Sequence, residues 1–260
     1  MPCEKHPESY PSAALVTGSA RRIGRAMALD LAGKGWDVAV HYNTSHDAAQ
    51  TVVSEIRQQG RQAIALQADL TDEAAAESLI GQTAENLGPA GLLVNNASVF
   101  EPDSIHAAPR EIWDGHMSPH LRAPFLLSRA FVRWLPPAQG GVIVNLLDAR
   151  VWNPAPGFTS YTISKSGLWT MTRTLAQELA PRIRVNGIGP GPALPNTRQT
   201  QADFEAQCRS MPLGIGTSPE EICAALQFIL AARSMTGQMI ALDGGQHLGW
   251  AFPGEAPPVA

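Results

Sequence analysis

The sequence predicts a single α/β domain, in which helices cover both faces of a seven-stranded parallel sheet. Short apolar runs alternate with longer segments of helical periodicity, which is the pattern of βαβ units. A chain of 260 residues suits one such domain, and its 44% hydrophobic content is enough for a large core. We therefore predict one domain over residues 13–249, preceded by a flexible arm at 1–12 and followed by a tail at 250–260.

Seven apolar runs are the predicted strands of this sheet. They cover residues 13–16, 37–42, 62–66, 92–95, 142–146, 184–188 and 239–242. The predicted helices cover residues 22–34, 47–59, 110–134, 161–179 and 219–232. A further helix is expected to begin at Thr71 as its N-cap, and Gly35 and Gly60 stand where helix ends favour a left-handed residue. Pro119 and Pro124 predict a kink or a break inside the helix over 110–134.

A long, polar, proline-rich segment follows the sixth strand. Residues 190–216 carry no predicted helix or strand, and loops of this length are often lids or binding loops. We therefore predict a substrate loop here. Its candidate contacts are Arg198, Gln199, Phe204 and Met211, each of which has solvent or a second subunit as an alternative partner.

The composition excludes several classes of protein. Nineteen basic and twenty-three acidic residues give a net charge of −4, so the field needed for nucleic-acid binding is missing. The apolar runs are shorter than the roughly 18 residues that cross a bilayer, and the first residues lack the apolar core of a secretion signal. Cys3, Cys208 and Cys223 have neither paired nor metal-like spacing. These features predict a cytoplasmic protein with free thiols, no metal site and a small-molecule partner.

The turn between the first strand and the first helix is a candidate nucleotide site. It reads Thr17-Gly-Ser-Ala-Arg-Arg-Ile-Gly24, and in a Rossmann-type sheet this turn lets backbone approach a pyrophosphate at a helix N-terminus. The spacing differs from the usual G-x-G-x-x-G, so the motif alone is weak. Its place after the first strand of a βαβ unit makes it informative.

The end of the second strand distinguishes the two nicotinamide dinucleotides. A carboxylate there would bind the ribose hydroxyls of NAD, but His41-Tyr-Asn-Thr-Ser45 carries none. Hydroxyl and amide groups together with Arg22 suit a 2′-phosphate instead, so NADPH is the predicted cofactor. A solvated side chain is the alternative for Arg22. Asp69 is expected either to accept a hydrogen bond from the adenine or to cap a helix.

Tyr161 and Lys165 are the candidate chemical centre, because a spacing of four residues places them on one helix face. A nearby ammonium should lower the pKa of the phenol towards a useful range. Such pairs are common by chance, so the context matters. Asp148 follows the fifth strand, where an open sheet binds ligands; its alternatives are capping the next segment or pairing with Arg150.

The chain resembles the short-chain dehydrogenase/reductase family from about Ala13 to Leu248. The matching marks are Thr17-Gly-x-x-x-x-Ile-Gly24, Asn95-Asn-Ala97, Tyr161-x-x-x-Lys165, Asn186, Pro190-Gly191 and Leu242-Asp-Gly-Gly245. Arg22 replaces a glycine of the family, Asp148 stands at the usual serine position, and Ser98 and Phe100 follow the fourth strand. These departures resemble the pteridine reductase branch, which includes bacterial dihydromonapterin reductases.

The resemblance implies an NADPH-dependent, homotetrameric reductase whose pterin substrate lies between the nicotinamide and Phe100. The implied catalytic residues are Asp148, Tyr161 and Lys165. The implied substrate-binding residues are Arg22, Ser98, Phe100, Asp148 and Tyr161. The predicted cofactor-binding residues are Gly18, Arg22, Ile23, Gly24, His41, Tyr42, Asn43, Thr44, Ser45, Asp69, Leu70, Asn96, Ala97, Ser98, Tyr161, Lys165, Pro190 and Gly191.

One further departure opposes this assignment. The family has an asparagine in the helix after strand four that supports a water relay behind the lysine, and His120 stands in its place. A histidine can order water or be purely structural. Two alternatives therefore stay open, namely a reductase of ordinary ketones or acyl thioesters and a nucleotide-binding protein without turnover.

Overall fold

The computed structural model describes residues 10–249 of the chain. Within them, seven strands form one parallel sheet in the order β3-β2-β1-β4-β5-β6-β7, which confirms the predicted fold class. The strands are β1 (Ala13–Val16), β2 (Asp37–Tyr42), β3 (Ala63–Gln67), β4 (Ala90–Asn95), β5 (Gly141–Leu146), β6 (Ile183–Pro190) and β7 (Met239–Leu242). The order changes direction between β1 and β4, so the crevice for ligands opens at the carboxyl ends of these central strands.

Helices pack on both faces of the sheet. They are α1 (Arg22–Gly33), α2 (His46–Gln58), α3 (Glu73–Leu87), α4 (Arg110–Met117), α5 (Ala123–Trp134), α6 (Thr159–Glu178), α7 (Gln201–Arg209) and α8 (Pro219–Ala231). One hydrophobic core joins the sheet to α1, α2 and α8, and a second joins it to α3, α5 and α6. Neighbouring residues of β1 alternate between the two cores, with Val16 in the first and Leu15 in the second.

The start of α3 differs from the prediction. Asp72, and not Thr71, is the N-cap, because its carboxylate accepts hydrogen bonds from the backbone N–H groups of Ala74 and Ala75. The Thr71 hydroxyl instead donates to Asp69 at 2.8 Å. The hydrogen bonds of Thr71 to Asp69 form a turn that leaves the capping position to Asp72.

The segment over 190–216 is more ordered than predicted, since it contains α7. Thr200 caps this helix, and its side chain and that of Asp203 each accept a hydrogen bond from the other's backbone N–H. This capping box was a readable signal in the sequence that the high proline content obscured.

The predicted long helix is divided near its two prolines, but helical structure continues through them. A π-helical turn, Ser118–Arg122, joins α4 to α5, and the N–H of Ala123 bonds to the carbonyl of Ser118, five residues back. Pro124 has no N–H and cannot bond to a carbonyl of the preceding turn. The wider π-helical turn accommodates this missing hydrogen bond.

The described part of the predicted N-terminal arm packs on the domain. The carbonyl of Ser12, just before β1, accepts a hydrogen bond from the N–H of Asp37, and the hydroxyl of Tyr10 accepts one from Arg184 at 3.4 Å. The rest of the arm and the predicted tail at 250–260 lie outside the described residues. None of the helices within 10–249 is both long and apolar enough to cross a membrane.

Arg184 ties β6 to the end of α8. It is 3% exposed, and its guanidinium donates to four main-chain carbonyls within 3.2 Å. These are the carbonyls of Ile229, Leu230, Ala232 and Met235. A cation at this position also suits the negative end of the helix dipole.

We predict that Arg184→Met lowers the free energy of unfolding by about 3 kcal/mol, because several buried carbonyls lose a charged donor. Urea denaturation measures the change. The exposed Arg129 is paired with Glu77, so Arg129→Met is the matched control and should cost less than about 1 kcal/mol. Equal losses in the two variants would contradict this role for Arg184.

Candidate active site

The carboxyl ends of the central strands open onto one cleft of about 840 Å³. Most of the predicted site residues line it. They are Gly18, Arg22, Ile23, Gly24, His41, Asn43, Asp69, Leu70, Asn96, Ala97, Ser98, Phe100, Asp148, Tyr161, Lys165, Pro190 and Gly191. Tyr42, Thr44 and Ser45 do not line the cleft, and the ring of Tyr42 packs edge-on against that of His46.

The glycine turn, residues 17–24, exposes main-chain atoms to the cleft at Gly18 and Gly24. Gly18 has a φ of +63°, and a Cβ there would lie 2.9 Å from the Cα of Ala97. A Cβ on Gly24 would lie 2.3 Å from the carbonyl oxygen of Gly18. Asn96 braces the turn from the neighbouring strand, since its amide donates to the carbonyl of Thr17 at 2.7 Å. A side chain at either position would collide with main-chain atoms, so this turn requires glycine at both.

His41 supports the turn from inside the fold. Its Nδ1 accepts a hydrogen bond from the N–H of Gly18 at 2.9 Å, and Nε2 lies 3.2 Å from the carbonyl of Ala68. This pair of contacts requires the neutral tautomer with the proton on Nε2. Burial lowers the pKa of His41 to about 4, so the ring stays neutral.

Arg22 connects the turn to the substrate loop. It has a φ of +54°, a left-handed conformation that explains why a glycine commonly stands at this position. Its guanidinium donates to the carbonyls of Pro195 at 2.9 Å and Leu194 at 3.3 Å. Arg22 therefore lies at the cleft, where it holds the loop.

Asp69 lies at the outer end of the cleft, beyond β3. One carboxylate oxygen accepts hydrogen bonds from both the N–H and the hydroxyl of Thr71, each at 2.8 Å. These bonds lower the pKa of Asp69 below its ordinary value. The residue stabilises a turn and does not cap α3.

Asp148 and Tyr161 meet at the inner end of the cleft. The hydroxyl of Tyr161 donates to Oδ2 of Asp148 at 2.8 Å, and Oδ1 accepts from the backbone N–H of Arg150, also at 2.8 Å. Asp148 therefore caps the 3-10 turn Ala149–Val151 and binds the tyrosine at the same time. It forms no ion pair with the Arg150 side chain among the described residues.

Lys165 lies on the same helix face as Tyr161, as its spacing predicts. Its ammonium donates to the carbonyl of Leu146, the last residue of β5, at 2.7 Å and lies 5.8 Å from the Tyr161 ring centre. Lys165 is 2% exposed, and burial lowers its pKa to about 8.

The expected direction of the Tyr161 pKa was wrong. Burial of the phenol raises its pKa well above 10, and the negative charge of Asp148 and the hydrogen bond to it act in the same direction. Arg150 and Ser98 oppose this shift, whereas Lys165 is not among its causes. The phenol is therefore protonated near neutral pH, which suits a proton donor.

His120 bridges the loop after β4 to α6. Its Nε2 accepts from the N–H of Val99 at 2.9 Å and lies 3.0 Å from the Ser98 hydroxyl. Its Nδ1 lies 2.9 Å from the hydroxyl of Ser164, which in turn donates to the carbonyl of Tyr161. Both ring nitrogens are thus engaged by protein groups, so His120 braces the site and does not order a water relay through its ring.

His116 forms a second bridge of the same kind one helical turn earlier. Its Nε2 accepts from the N–H of Glu101 at 3.1 Å, and its Nδ1 lies 2.7 Å from the hydroxyl of Ser160. The two imidazoles stack with centres 5.6 Å apart, and burial lowers the pKa of each. The bridges hold Val99 and Glu101, the two neighbours of Phe100. They therefore restrain the position of Phe100 relative to Tyr161.

An aromatic wall faces the Asp148–Tyr161 pair. The ring of Phe100 stacks on Phe158 with centres 4.3 Å apart, and Tyr161 meets Phe100 edge-on at 4.8 Å. Sequence reasoning missed Phe158 and gave Arg150 no role at the cleft. Phe158 precedes α6 and reaches the wall only through the fold, so no local pattern marked it.

The substrate loop closes one side of this wall. Arg198 donates to the carbonyl of Phe100 at 2.8 Å and pairs with Glu101 at 2.9 Å. Gln199 and Phe204 also line the cleft. Met211 does not line it and is buried beside Gly244, so it belongs to the packing of the loop.

Comparison with known proteins defines the family. Residues 12–206 match the family model for short chain dehydrogenases. A curated relative, the 3-oxoacyl-[acyl-carrier-protein] reductase of Synechocystis sp., is 33% identical over 236 residues, which cover 89% of this chain and 95% of that protein. The chain therefore belongs to the short-chain dehydrogenase/reductase family.

Solved structures give a second set of relatives. FolM alternative dihydrofolate reductase 1 from Brucella suis, in complex with NADP, is 48% identical with a TM-score of 0.90, covering 94% of this chain and 98% of that one. The Brucella canis protein of the same name, also with NADP, is 46% identical with a TM-score of 0.91, covering 97% and 100%. These relatives are more similar in sequence than the 3-oxoacyl reductase.

We predict that His41 makes the folded protein less stable as the pH falls below 6.5. Its folded-state pKa of about 4 lies below the ordinary 6.5, so the unfolded chain takes up the proton first as the pH drops. The stabilisation is complete above pH 6.5 and is lost as the pH falls towards 4, amounting to about 2 kcal/mol between pH 7 and 5. Urea denaturation at both pH values measures this. In His41→Asn the pH-dependent loss should be smaller by that amount; parallel curves for the two proteins would contradict it.

We predict that the His116 bridge protects the Glu101 amide from hydrogen exchange. His116→Ala removes its acceptor, so exchange of the Glu101 amide should rise about tenfold, the equivalent of one lost hydrogen bond. Mass spectrometry of peptides across this loop measures the change. The control is His46→Ala at an exposed position, which should leave the loop unaffected. Unchanged exchange in His116→Ala would show that the bridge does not hold the loop.

Proposed function

We propose that this protein is an NADPH-dependent reductase of a dihydropterin-type ring. The observation that carries the proposal is the hydrogen bond between Tyr161 and Asp148, since a carboxylate occupies the position at which the family usually has a serine. A serine hydroxyl suits a carbonyl oxygen, whereas a carboxyl group beside a tyrosine suits delivery of a proton to a ring nitrogen. The similarity to the two Brucella proteins supports the same substrate class.

The cofactor is NADPH, in agreement with the NADP bound in the solved relatives. When bound, it supplies the hydride. The bare main chain at Gly18 and Gly24 and the start of α1 fit a pyrophosphate, and β2 ends without a carboxylate that would repel a 2′-phosphate. The buried ammonium of Lys165 lies at the end of β5, where it can donate to a ribose hydroxyl.

Tyr161 is the proton donor of the proposed reaction. Its raised pKa keeps the proton on the phenolic oxygen until a ring nitrogen accepts it. A proton entering from the cleft then reaches that oxygen through Oδ2 of Asp148, 2.8 Å away. The positive charge of Arg150 favours the phenolate that forms when Tyr161 gives up its proton, and the charge of Lys165 interacts with that of Asp148. One proton enters and one leaves to the substrate, so the pair returns to its starting state.

The aromatic wall supplies the binding surface for a flat substrate. Phe100 lines the cleft beside Tyr161, and its position is held by the two histidine bridges and by Arg198. A pterin offers a planar face that stacks on such a ring. Ser98 and Arg22, at the edges of the same cleft, are the remaining proposed contacts.

A second candidate function is the reduction of a 3-oxoacyl thioester or a small ketone. The curated 3-oxoacyl reductase with 33% identity favours it, because that match covers most of both chains. In that case Asp148 would be a tolerated replacement for serine. A nucleotide-binding protein without turnover is the remaining alternative, and binding of NADPH without oxidation by any substrate would identify it.

The proposed partners are one cofactor and one small molecule for each site. A homotetramer and a cytoplasmic location follow from the family resemblance and from the sequence, and they stay predictions. Size-exclusion chromatography with light scattering measures the assembly.

We predict oxidation of NADPH with dihydropterins and with dihydrofolate, and slower or no oxidation with simple ketones. In Asp148→Ser, turnover of the dihydropterin should fall by about 10²- to 10³-fold, because the proton relay is broken. Ketone turnover should persist or rise in that variant. The decay of NADPH absorbance, followed for all substrates in parallel, measures these rates.

The matched control is Asp114→Ser on α4, where the carboxylate is exposed and paired with Arg110. Its rates should equal those of the unmodified enzyme. Brisk ketone turnover with no activity on any dihydropterin would refute the proposed function and favour the second candidate.

A further inference from the structure

Arg150 is a buried cation beside the proposed proton relay. It lies on the 3-10 turn after β5, is 8% exposed and lines the cleft. The central carbon of its guanidinium lies 4.8 Å from the ring centre of Phe158 and 5.7 Å from that of Phe100. The cation is thus held against the aromatic wall, where cation–π attraction limits its movement.

The guanidinium of Arg150 has no carboxylate partner and no hydrogen-bond acceptor within residues 10–249. The nearest carboxylate along the chain, Asp148, uses one oxygen for Tyr161 and the other for the backbone N–H of Arg150 itself. Glu101 is paired with Arg198. No ion pair or side-chain hydrogen bond of the guanidinium is formed in the described part of the chain, and its cation–π contacts leave the N–H donors unused.

Arg150 differs from Arg184, the other buried arginine among the described residues, in its hydrogen bonds. Arg184, at 3% exposure, donates to four carbonyls and so satisfies its buried charge within the protein. Removing a guanidinium from water without hydrogen bonds is costly, and such groups are normally paired. Arg150, at 8% exposure, lines the cleft instead. Its donors therefore face the cleft, where a ligand can accept from them.

We propose that Arg150 is the substrate-orienting residue of the cleft, and that its guanidinium binds the ring oxo group of a planar nitrogen heterocycle. The proposal rests on the proposed function, which it extends by naming the edge of the ring that the protein recognises. The guanidinium is a flat donor with several N–H groups, and an oxo oxygen has two lone pairs that can accept hydrogen bonds from it.

The position of Arg150 also agrees with the proton relay. Arg150 and Tyr161 lie against the same ring, because the guanidinium carbon is 5.7 Å and the Tyr161 ring centre 4.8 Å from the centre of the Phe100 ring. In a dihydropterin, the 4-oxo group and the N5 atom are neighbours on one edge of the ring. A ring held by its oxo group at Arg150 therefore presents N5 towards the phenol.

The test compares Arg150→Met and Arg150→Lys with the unmodified enzyme, using dihydrofolate and a dihydropterin without a carboxylate. We expect KM for both substrates to rise about 30-fold or more in Arg150→Met, with the Kd for NADPH unchanged. Arg150→Lys should restore only part of the loss, because it retains the charge without the fork. The control is Arg129→Met on α5, which should match the unmodified enzyme. An unchanged KM, or an effect confined to dihydrofolate and hence to its glutamate carboxylates, would overturn the proposal.

A binding experiment separates this inference from the proposed reaction. The fluorescence of pterin and of 2,4-diaminopteridine, which carries an amino group in place of the oxo group, reports binding to the NADP-loaded protein without turnover. We expect a preference of at least tenfold for the oxo ring, which Arg150→Met abolishes. That result would support the proposal even if no dihydropterin were reduced. Equal binding of the two rings, or binding of neither, would overturn it.

Discussion

The parallel alignment of the seven strands is the constraint on which the whole site depends. Because every strand runs in the same direction, the residues that follow β1, β4, β5 and β6 meet at one edge, although they are far apart in the chain. A buried polar chain fixes the positions of these elements just beneath the cleft. Asn95 on β4 donates to Asn145 on β5 at 2.8 Å, and Asn145 donates to Thr172 on α6 at 2.8 Å. The strand ends are therefore held in a fixed relation to the helix that carries Tyr161 and Lys165.

Burial governs the electrostatics of the site. It lowers the pKa of the basic groups His41 and Lys165 and raises that of the Tyr161 phenol, so each of these shifts favours the neutral form. The carboxylate of Asp148 adds to the effect on the phenol. A site that keeps its tyrosine protonated is prepared to give a proton, and the histidine bridges hold the loop after β4 without adding charge.

Several polar side chains around the cleft hold separate segments of the chain together. His120 replaces the usual asparagine, but it holds the loop after β4 against α6 and does not leave a free ring nitrogen. Arg22 binds carbonyls of the loop over 190–216, and Arg198 binds the carbonyl of Phe100. The glycine turn, the aromatic wall and the substrate loop are thus connected to one another by side chains that also line the cleft.

The sequence by itself determined the fold class, the order of strands and helices, and most of the residues that line the cleft. These features depend on local patterns: apolar periodicity, glycine at a strand–helix turn, and a tyrosine and a lysine four residues apart. It did not determine the protonation of Tyr161, the partners of His116 and His120, or the place of Phe158 and Arg150. Those features depend on burial and on contacts between segments that lie far apart in the chain. Asn95 on β4 and Asn145 on β5, for example, are 50 residues apart. Such contacts exist only after the chain has folded. The pair of Tyr161 and Lys165 was readable from spacing, but only the tertiary structure decided that the phenol faces Asp148, because the shared strand edge brings the two together.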